Sequence, residues 1–314
     1  MQIWSAVPTP LTAHLSVHVP SLHMMIRNAI ANGIQGLFLA GTCGEGPWLP
    51  DRERNRLVRE AVSVGNGRLK IAVQATDNSV LRILENIRQI ADAGADYAII
   101  AAPATFMNAT PERISAHFIE AADASPLPLG IYDLGLHRPV VMPENRLTEI
   151  YLRPNVRLVK DSSGSPSRRA AALAARAQKP GLTLFNGDEF KCLEYLEAGY
   201  DGMMFGGAAA VAPQIQQIVE HFCAGRVKEA REVEKGMVKT LFGIYGGEKI
   251  ACWLTGLKYF MQRRGLFDTT ASYLGYPLTA ECRAFIDDYV AAAGKVELAA
   301  AGGSEHERSD HGSE

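Results

Sequence analysis

Lys160 closes the short apolar run Val156-Arg157-Leu158-Val159 and is followed at once by Asp161-Ser162-Ser163-Gly164. The run reads as a buried strand and Asp-Ser-Ser-Gly as the turn that ends it. A lysine in that position either reaches back to water or sits in a pocket at the strand's mouth. In a pocket, burial favours the uncharged amine, which attacks carbonyl carbon. Two other strand ends offer matching chemistry. Gly41-Thr42-Cys43-Gly44-Glu45-Gly46 is a glycine-rich turn whose backbone N–H groups, beside a hydroxyl and a thiol, suit a carboxylate or oxyanion. Ile131-Tyr132-Asp133 offers a phenol as a proton carrier.

The elements that must position these groups alternate. Strand-like runs fall at Ile3–Val7, Gly36–Ala40, Lys70–Gln74, Tyr97–Ala102, Pro128–Asp133, Val156–Lys160, Leu182–Asn186 and Asp201–Gly206. Amphipathic stretches lie between them, several ending at a glycine, as in Ala31-Asn32-Gly33, Ala93-Gly94 and Ala198-Gly199. Regular alternation predicts parallel strands with crossover helices, and eight repeats favour a closed (β/α)8 TIM barrel over an open doubly wound sheet. No G-x-G-x-x-G follows the first strand, which argues against dinucleotide binding. The barrel is expected over residues 1–210. A small C-terminal helical extension follows over 211–298, with helices near Ala212–Ala224, Val227–Leu241, Lys249–Arg264 and Thr279–Ala292, then a disordered tail over 299–314.

Barrel geometry places chemistry at the C-terminal ends of the strands. Lys160, Tyr132 and the Thr42-Cys43 turn are then expected on one rim, joined by Asp188 and Glu189 after strand seven and Gly206 after strand eight. His117, within a helical stretch, reads as a half-buried surface residue, and His137 lies in the loop after strand five.

A chain of 314 residues, 47% hydrophobic and 21% charged, can bury a large core. A net charge of -2 gives no reason to expect nucleic acid or an anionic membrane as partner. The N-terminal Met1-Gln2-Ile3-Trp4 lacks signal-peptide character, and no apolar run is long enough to span a bilayer. The five cysteines, Cys43, Cys192, Cys223, Cys252 and Cys282, are odd in number and form no C-x-x-C pair. This argues against a disulfide framework or a metal site and for a reducing, cytoplasmic setting.

In order and spacing, Pro8-Thr9-Pro10, Gly-Thr-Cys-Gly-Glu at 41–45, Ala93-Gly94-Ala95-Asp96, Tyr132-Asp133, Val159-Lys160-Asp161-Ser162-Ser163-Gly164 and Asn186-Gly187-Asp188 carry a resemblance. Over about residues 1–292 the chain resembles the dihydrodipicolinate synthase / N-acetylneuraminate lyase family of class I Schiff-base lyases and aldolases. The resemblance implies that Lys160 condenses with the ketone of pyruvate or another 2-keto acid and that Tyr132 shuttles protons. It implies that Thr42 and Cys43 bind the carboxylate, and that neither metal nor nucleotide cofactor is needed. It also implies a homo-oligomer, a tetramer or dimer, acting on a 2-keto acid and an aldehyde.

Departures from the family pattern bear on the substrate. The carboxylate turn usually carries two hydroxyl residues, and here the second is Cys43. The dihydrodipicolinate synthases carry a tyrosine after strand four that completes a proton relay, whereas this chain reads Pro103-Ala104-Thr105-Phe106-Met107. After Tyr132 it reads Asp133-Leu134-Gly135-Leu136-His137-Arg138-Pro139, where Arg138 is a candidate for binding a second carboxylate. In the sialic-acid lyase branch the loop holding Asp188 and Glu189 offers carboxylates to sugar hydroxyls. The expected activity is therefore a Schiff-base aldolase or lyase acting on a 2-keto acid. Condensation of pyruvate with aspartate semialdehyde, the dihydrodipicolinate synthase reaction, is the alternative, and a non-catalytic 2-keto-acid binding protein is the third reading.

Overall fold

The computed structural model describes residues 1–103, 105, 107–135 and 141–293. The expected tail at 299–314 lies outside them, as do His137 and Arg138. Eight parallel strands close into a barrel in chain order: β1 (Gln2–Ser5), β2 (Gly36–Leu39), β3 (Lys70–Gln74), β4 (Tyr97–Ala101), β5 (Leu129–Asp133), β6 (Val156–Asp161), β7 (Thr183–Asn186) and β8 (Gly202–Phe205). β8 returns to β1 with Trp4 opposite Met204 and Ser5 opposite Phe205.

Strand alternation sorts the apolar residues into two cores. Trp4, Phe38, Ala72, Ile99, Leu158, Phe185 and Met204 fill the barrel interior. Their chain neighbours Ile3, Leu37, Val73, Ile100, Val159, Leu184 and Phe205 face outward into the layer shared with the helices. Gly36 is required where the Trp4 indole crosses β2, since a Cβ there would lie 2.3 Å from the ring.

The outer helices are α1 (Val19–Ala31), α2 (Asp51–Gly65), α3 (Val80–Asp92), α4 (Pro111–Ala124), α5 (Glu144–Tyr151), α6 (Pro166–Gln178), α7 (Cys192–Glu197) and α8 (Ala208–Cys223). Ser79 caps α3 by accepting the Arg82 N–H at 3.3 Å, and Thr110 caps α4 by accepting the Arg113 N–H at 3.3 Å. α8 begins four residues before the expected Ala212. Its first turn is separated from the rest by a kink at Val211, two residues ahead of Pro213, whose missing N–H would otherwise mark a helix start. His117 on α4 is buried rather than half-buried, since it lies on the face that packs inward with Ile114 and Phe118.

One local irregularity sits between β5 and β6. Leu129 pairs with Val156, but Gly130 pairs with Leu158, so Arg157 is an extra residue in the ladder and is exposed. Beyond it Tyr132 lies opposite Lys160 and Asp133 opposite Asp161.

After α8 the chain forms α9 (Val227–Tyr245), α10 (Trp253–Arg263) and α11 (Ala280–Ala293). α9 runs four residues beyond the expected Leu241 and stops at Gly246, which takes the left-handed conformation at φ 78°. The segment after α10 folds back onto the barrel mouth. Thr269 donates to the Leu11 carbonyl at 2.7 Å, and the Tyr273 hydroxyl donates to the Leu15 carbonyl at 2.8 Å.

A further tie is electrostatic. Lys258 on α10 and Glu45 in the turn after β2 form an ion pair in which both side chains are fully buried. Lys258 also donates to the Ala271 carbonyl at 2.6 Å. The second Glu45 oxygen accepts the Ser272 hydroxyl at 2.8 Å and the Tyr273 N–H at 2.6 Å. Burial pulls the Lys258 ammonium below the ordinary lysine range, and Glu45 opposes that pull. Lys258→Met, which strands the Glu45 charge, is expected to cost about 3–5 kcal/mol, while adding Glu45→Gln recovers much of the loss. Urea unfolding of the two variants beside the parent measures both effects.

Candidate active site

The turn after β2 is shaped by close packing. Ala40 and Glu45 both adopt left-handed backbone, at φ 52° and 58°. A Cβ at Gly46 would fall 1.7 Å from the Ala40 carbonyl oxygen, and one at Gly44 would lie 2.9 Å from the Ala40 nitrogen, so neither position admits a side chain. The Thr9 hydroxyl donates to the Gly44 carbonyl at 2.7 Å, tying the Pro8-Thr9-Pro10 segment to the turn. Thr42 and Cys43 are thereby carried to the barrel mouth by backbone geometry.

Lys160 stands on the opposite side of that mouth, 4% exposed. Its Nζ lies 4.1 Å from the centroid of the Tyr132 ring and 4.9 Å from that of Phe38. The two rings meet edge to face at 5.7 Å. Among the described residues, no carboxylate lies within ion-pair distance of Lys160, in contrast to the equally buried Lys258. Glycine at 187 leaves room for the lysine, because a Cβ there would fall 2.0 Å from Ser162 Oγ and 3.1 Å from Lys160 Cε.

The outward neighbours of the lysine and tyrosine anchor them. Asp133 is buried and takes both its oxygens to Arg168 Nη1, at 2.8 and 2.9 Å. Asp161 accepts the Tyr200 hydroxyl at 2.8 Å and the Ser163 hydroxyl at 2.6 Å. Burial raises the Asp133 carboxyl while the Arg168 guanidinium lowers it. Burial and Asp161 push the Tyr200 phenol up strongly.

Cys43, Glu189 and Gly206 gather on the other flank. Glu189 accepts the Gly207 N–H at 2.7 Å. Burial raises its carboxyl, opposed by the Gly207 N–H, the Tyr245 hydroxyl and Lys160. Burial, then the Glu189 charge, drives the Cys43 thiol far above its usual range, so it stays protonated and is a poor nucleophile. A Cβ at Gly206 would lie 2.9 Å from Cys43 Sγ, which makes glycine necessary there. Asp188 is turned to its own loop, where Oδ1 accepts the Phe190 N–H at 3.1 Å. Thus Thr42, Cys43, Tyr132, Lys160, Glu189 and Gly206 share one mouth, Asp188 serves the loop beside it, and Arg138 lies outside the described residues.

Three polar or aromatic groups at the mouth escaped the sequence reading. Phe38 and Gln74 could have been found, since strict alternation from Leu37 and from Val73 turns both inward. Tyr245 comes from α9, far along the chain, and no local pattern marks it. All five cysteines are free. Among the described residues there is no metal-binding group of His, Cys, Asp and Glu, and no helix is long and apolar enough to cross a membrane.

Known proteins share this architecture. A 4-hydroxy-tetrahydrodipicolinate synthase from Listeria welshimeri is 25% identical over 245 residues, 78% of this chain and 82% of the relative. The crystal structure of YagE, a prophage protein of the dihydrodipicolinic acid synthase family from E. coli K12 in complex with pyruvate, superposes with a TM-score of 0.82. It has 20% identity and covers 93% of this chain and 97% of its own. CdNal from Clostridium difficile, in complex with mannosamine, gives a TM-score of 0.82 at 18% identity over 92% and 98% of the two chains. The sequence profile of the dihydrodipicolinate synthetase family matches residues 1–283. The chain belongs to that family, whose enzymes are class I, Schiff-base aldolases.

Proposed function

We propose that this enzyme makes or breaks a carbon–carbon bond of a 2-keto acid through an imine on Lys160. The observation that carries the reading is a buried lysine lacking a carboxylate partner among the described residues and set against the Tyr132 ring. Such an amine is available to a carbonyl carbon rather than committed to an ion pair.

The Nζ lone pair attacks C2 of the keto acid, and the carbonyl oxygen leaves as water. The resulting iminium draws the electron pair of the C3–H or C3–C4 bond toward nitrogen. In one direction the enamine carbon then attacks an aldehyde, and in the other an aldehyde departs. Tyr132, on the rung beside Lys160, carries the proton between the substrate and the site. The substrate carboxylate is held by the backbone N–H groups and the Thr42 hydroxyl of the glycine-rich turn. Cys43 acts there through its backbone, since its thiol is not ionised. Glu189 and Gly206 border the substrate on the far side, and Arg138 remains a candidate for a second carboxylate.

The Listeria relative supports a second reading, condensation of pyruvate with aspartate semialdehyde. The segment Pro103-Ala104-Thr105-Phe106-Met107 carries no tyrosine for a relay, and the Glu189 carboxyl, which accepts the Gly207 N–H beside Cys43 and Gly206, suits a hydroxyl better than a further carboxylate. Both features favour a hydroxylated or otherwise small 2-keto acid.

Incubation with pyruvate and borohydride is expected to add one pyruvate-derived mass per chain, located by peptide mapping on Lys160. Labelling elsewhere, or none with any 2-keto acid, removes the proposal. Tyr132→Phe keeps the ring beside Lys160 and deletes the proton carrier. Turnover should fall by about 10²–10⁴-fold while borohydride trapping survives. Steady-state rates with the best aldehyde partner, measured beside trapping, separate the two effects.

A further inference from the structure

Gln74 closes β3 and is 5% exposed, yet no hydrogen bond reaches its Oε1 from the described residues. A buried amide oxygen left without a donor is costly, and such groups need a reason. Alternation fixes its direction: Ala72 lies in the barrel interior and Val73 in the outer core, so Gln74 faces inward.

Its height follows from the barrel. The interior of an eight-stranded barrel is stacked in layers of four side chains drawn from alternate strands. Phe38 of β2 touches Lys160 of β6 across the lumen, which puts these two even strands in one layer with Ile99 of β4 and Met204 of β8. The layer above belongs to the odd strands, at or just beyond their ends: Ala6, Gln74, Tyr132 and Gly187. Tyr132 covers Lys160, and Gly187 abuts its Cε, as that stacking requires. Of these four, one has no side chain and one has only a methyl. The space over the lysine is therefore bordered by a phenol and a carboxamide.

We infer that Gln74 is a specificity residue whose carboxamide bonds a hydroxyl on the carbon chain of a substrate held through Lys160. The inference rests on the Schiff-base reading above and deepens it. A hydroxyl both donates and accepts, so it satisfies the amide in either of its two flip orientations. A carboxylate only accepts, and would leave Oε1 unmet. An alkyl chain would leave the whole amide unmet, and a site built to bond a hydroxyl rejects the analogue that lacks it. The preferred substrate is thus a hydroxylated 2-keto acid, assembled in the forward direction from pyruvate and a hydroxyaldehyde.

The test compares pyruvate consumption with glyceraldehyde and with propionaldehyde, and records borohydride trapping of pyruvate in the same preparations. The parent enzyme is expected to favour glyceraldehyde by about tenfold or more in kcat/KM. Gln74→Met, similar in length and without the amide, should reduce that ratio toward one with trapping on Lys160 intact. Gln74→Glu, which keeps an acceptor, should retain a preference. A parent enzyme that traps pyruvate but treats the two aldehydes alike, or uses neither, overturns the inference. So does a Gln74→Met enzyme that keeps the full ratio. Should Gln74→Met fail to fold, the parent comparison and Gln74→Glu still decide. Absence of trapping in the parent removes the Schiff-base reading itself, and the Gln74 inference with it.

Discussion

The barrel mouth depends on one buried ion pair. Glu45 ends the turn that follows β2, in a left-handed conformation that a glutamate does not adopt by preference, and Lys258 arrives from α10 to meet it. Removing two charges from water is expensive, and their attraction repays it only when the remaining hydrogen-bonding positions are filled. Here they are. The Ser272 hydroxyl and Tyr273 N–H fill the second carboxylate oxygen, and the Ala271 carbonyl takes a further lysine proton. The C-terminal helices are thus part of what holds the turn, and the turn is where a substrate carboxylate would bind. Deleting those helices would remove the anchor of the proposed carboxylate site, although they supply none of the groups proposed to react.

The two walls of the mouth differ in kind. On the β5–β6 side an amine and a phenol lie between aromatic rings, with their outward neighbours Asp133 and Asp161 held by Arg168 and Tyr200. On the β2–β8 side a protonated thiol and a carboxyl raised by burial face a pair of glycines. The first wall offers groups suited to covalent chemistry and proton transfer. The second offers a shaped surface of limited charge, suited to discriminating among substrates. Two buried lysines serve these ends in opposite ways: Lys258 is neutralised by a partner, and Lys160 is left facing aromatic carbon.

Much of this was legible in the chain. The alternation of short apolar runs with amphipathic stretches gave eight strands in order, and the glycines at 33, 94 and 199 marked helix ends that the structure places in left-handed conformation. Lys160 and Tyr132 were visible because each ends a buried run with a polar group. The turn proposed to hold a carboxylate was visible as a run of glycines beside a hydroxyl and a thiol at a strand end. What stayed hidden was long-range. Glu45 stands in the glycine-rich motif, but nothing local marks it as half of a buried ion pair, because its partner lies 213 positions away. Tyr245 and the early start of α8 depend on how the helical extension packs, which local periodicity does not encode. Gln74 carries no mark of its own in the sequence, because a glutamine at a strand end is ordinarily a residue on its way to solvent.

The extra residue in β6 has a consequence for how this site can change over time. Were the Leu129–Val156 pairing continued without interruption, Tyr132 would stand opposite Val159, and the side-chain alternation of β6 would be reversed relative to β5. The amine would then point among the helices and an aspartate would occupy the lumen. By bulging out of the ladder, the exposed Arg157 leaves Leu158, Val159 and Lys160 in step with Gly130, Ile131 and Tyr132, and the lysine faces inward. Loops at the mouth can lengthen, shorten and exchange residues with each new substrate, but the rungs from Leu158 to Lys160 must stay in register with β5. A descendant of this chain that lost Arg157 would close the bulge with the lysine still opposite Tyr132, whereas one whose bulge flattened into the ladder would keep every side chain named in the mechanism and turn the amine out of the lumen.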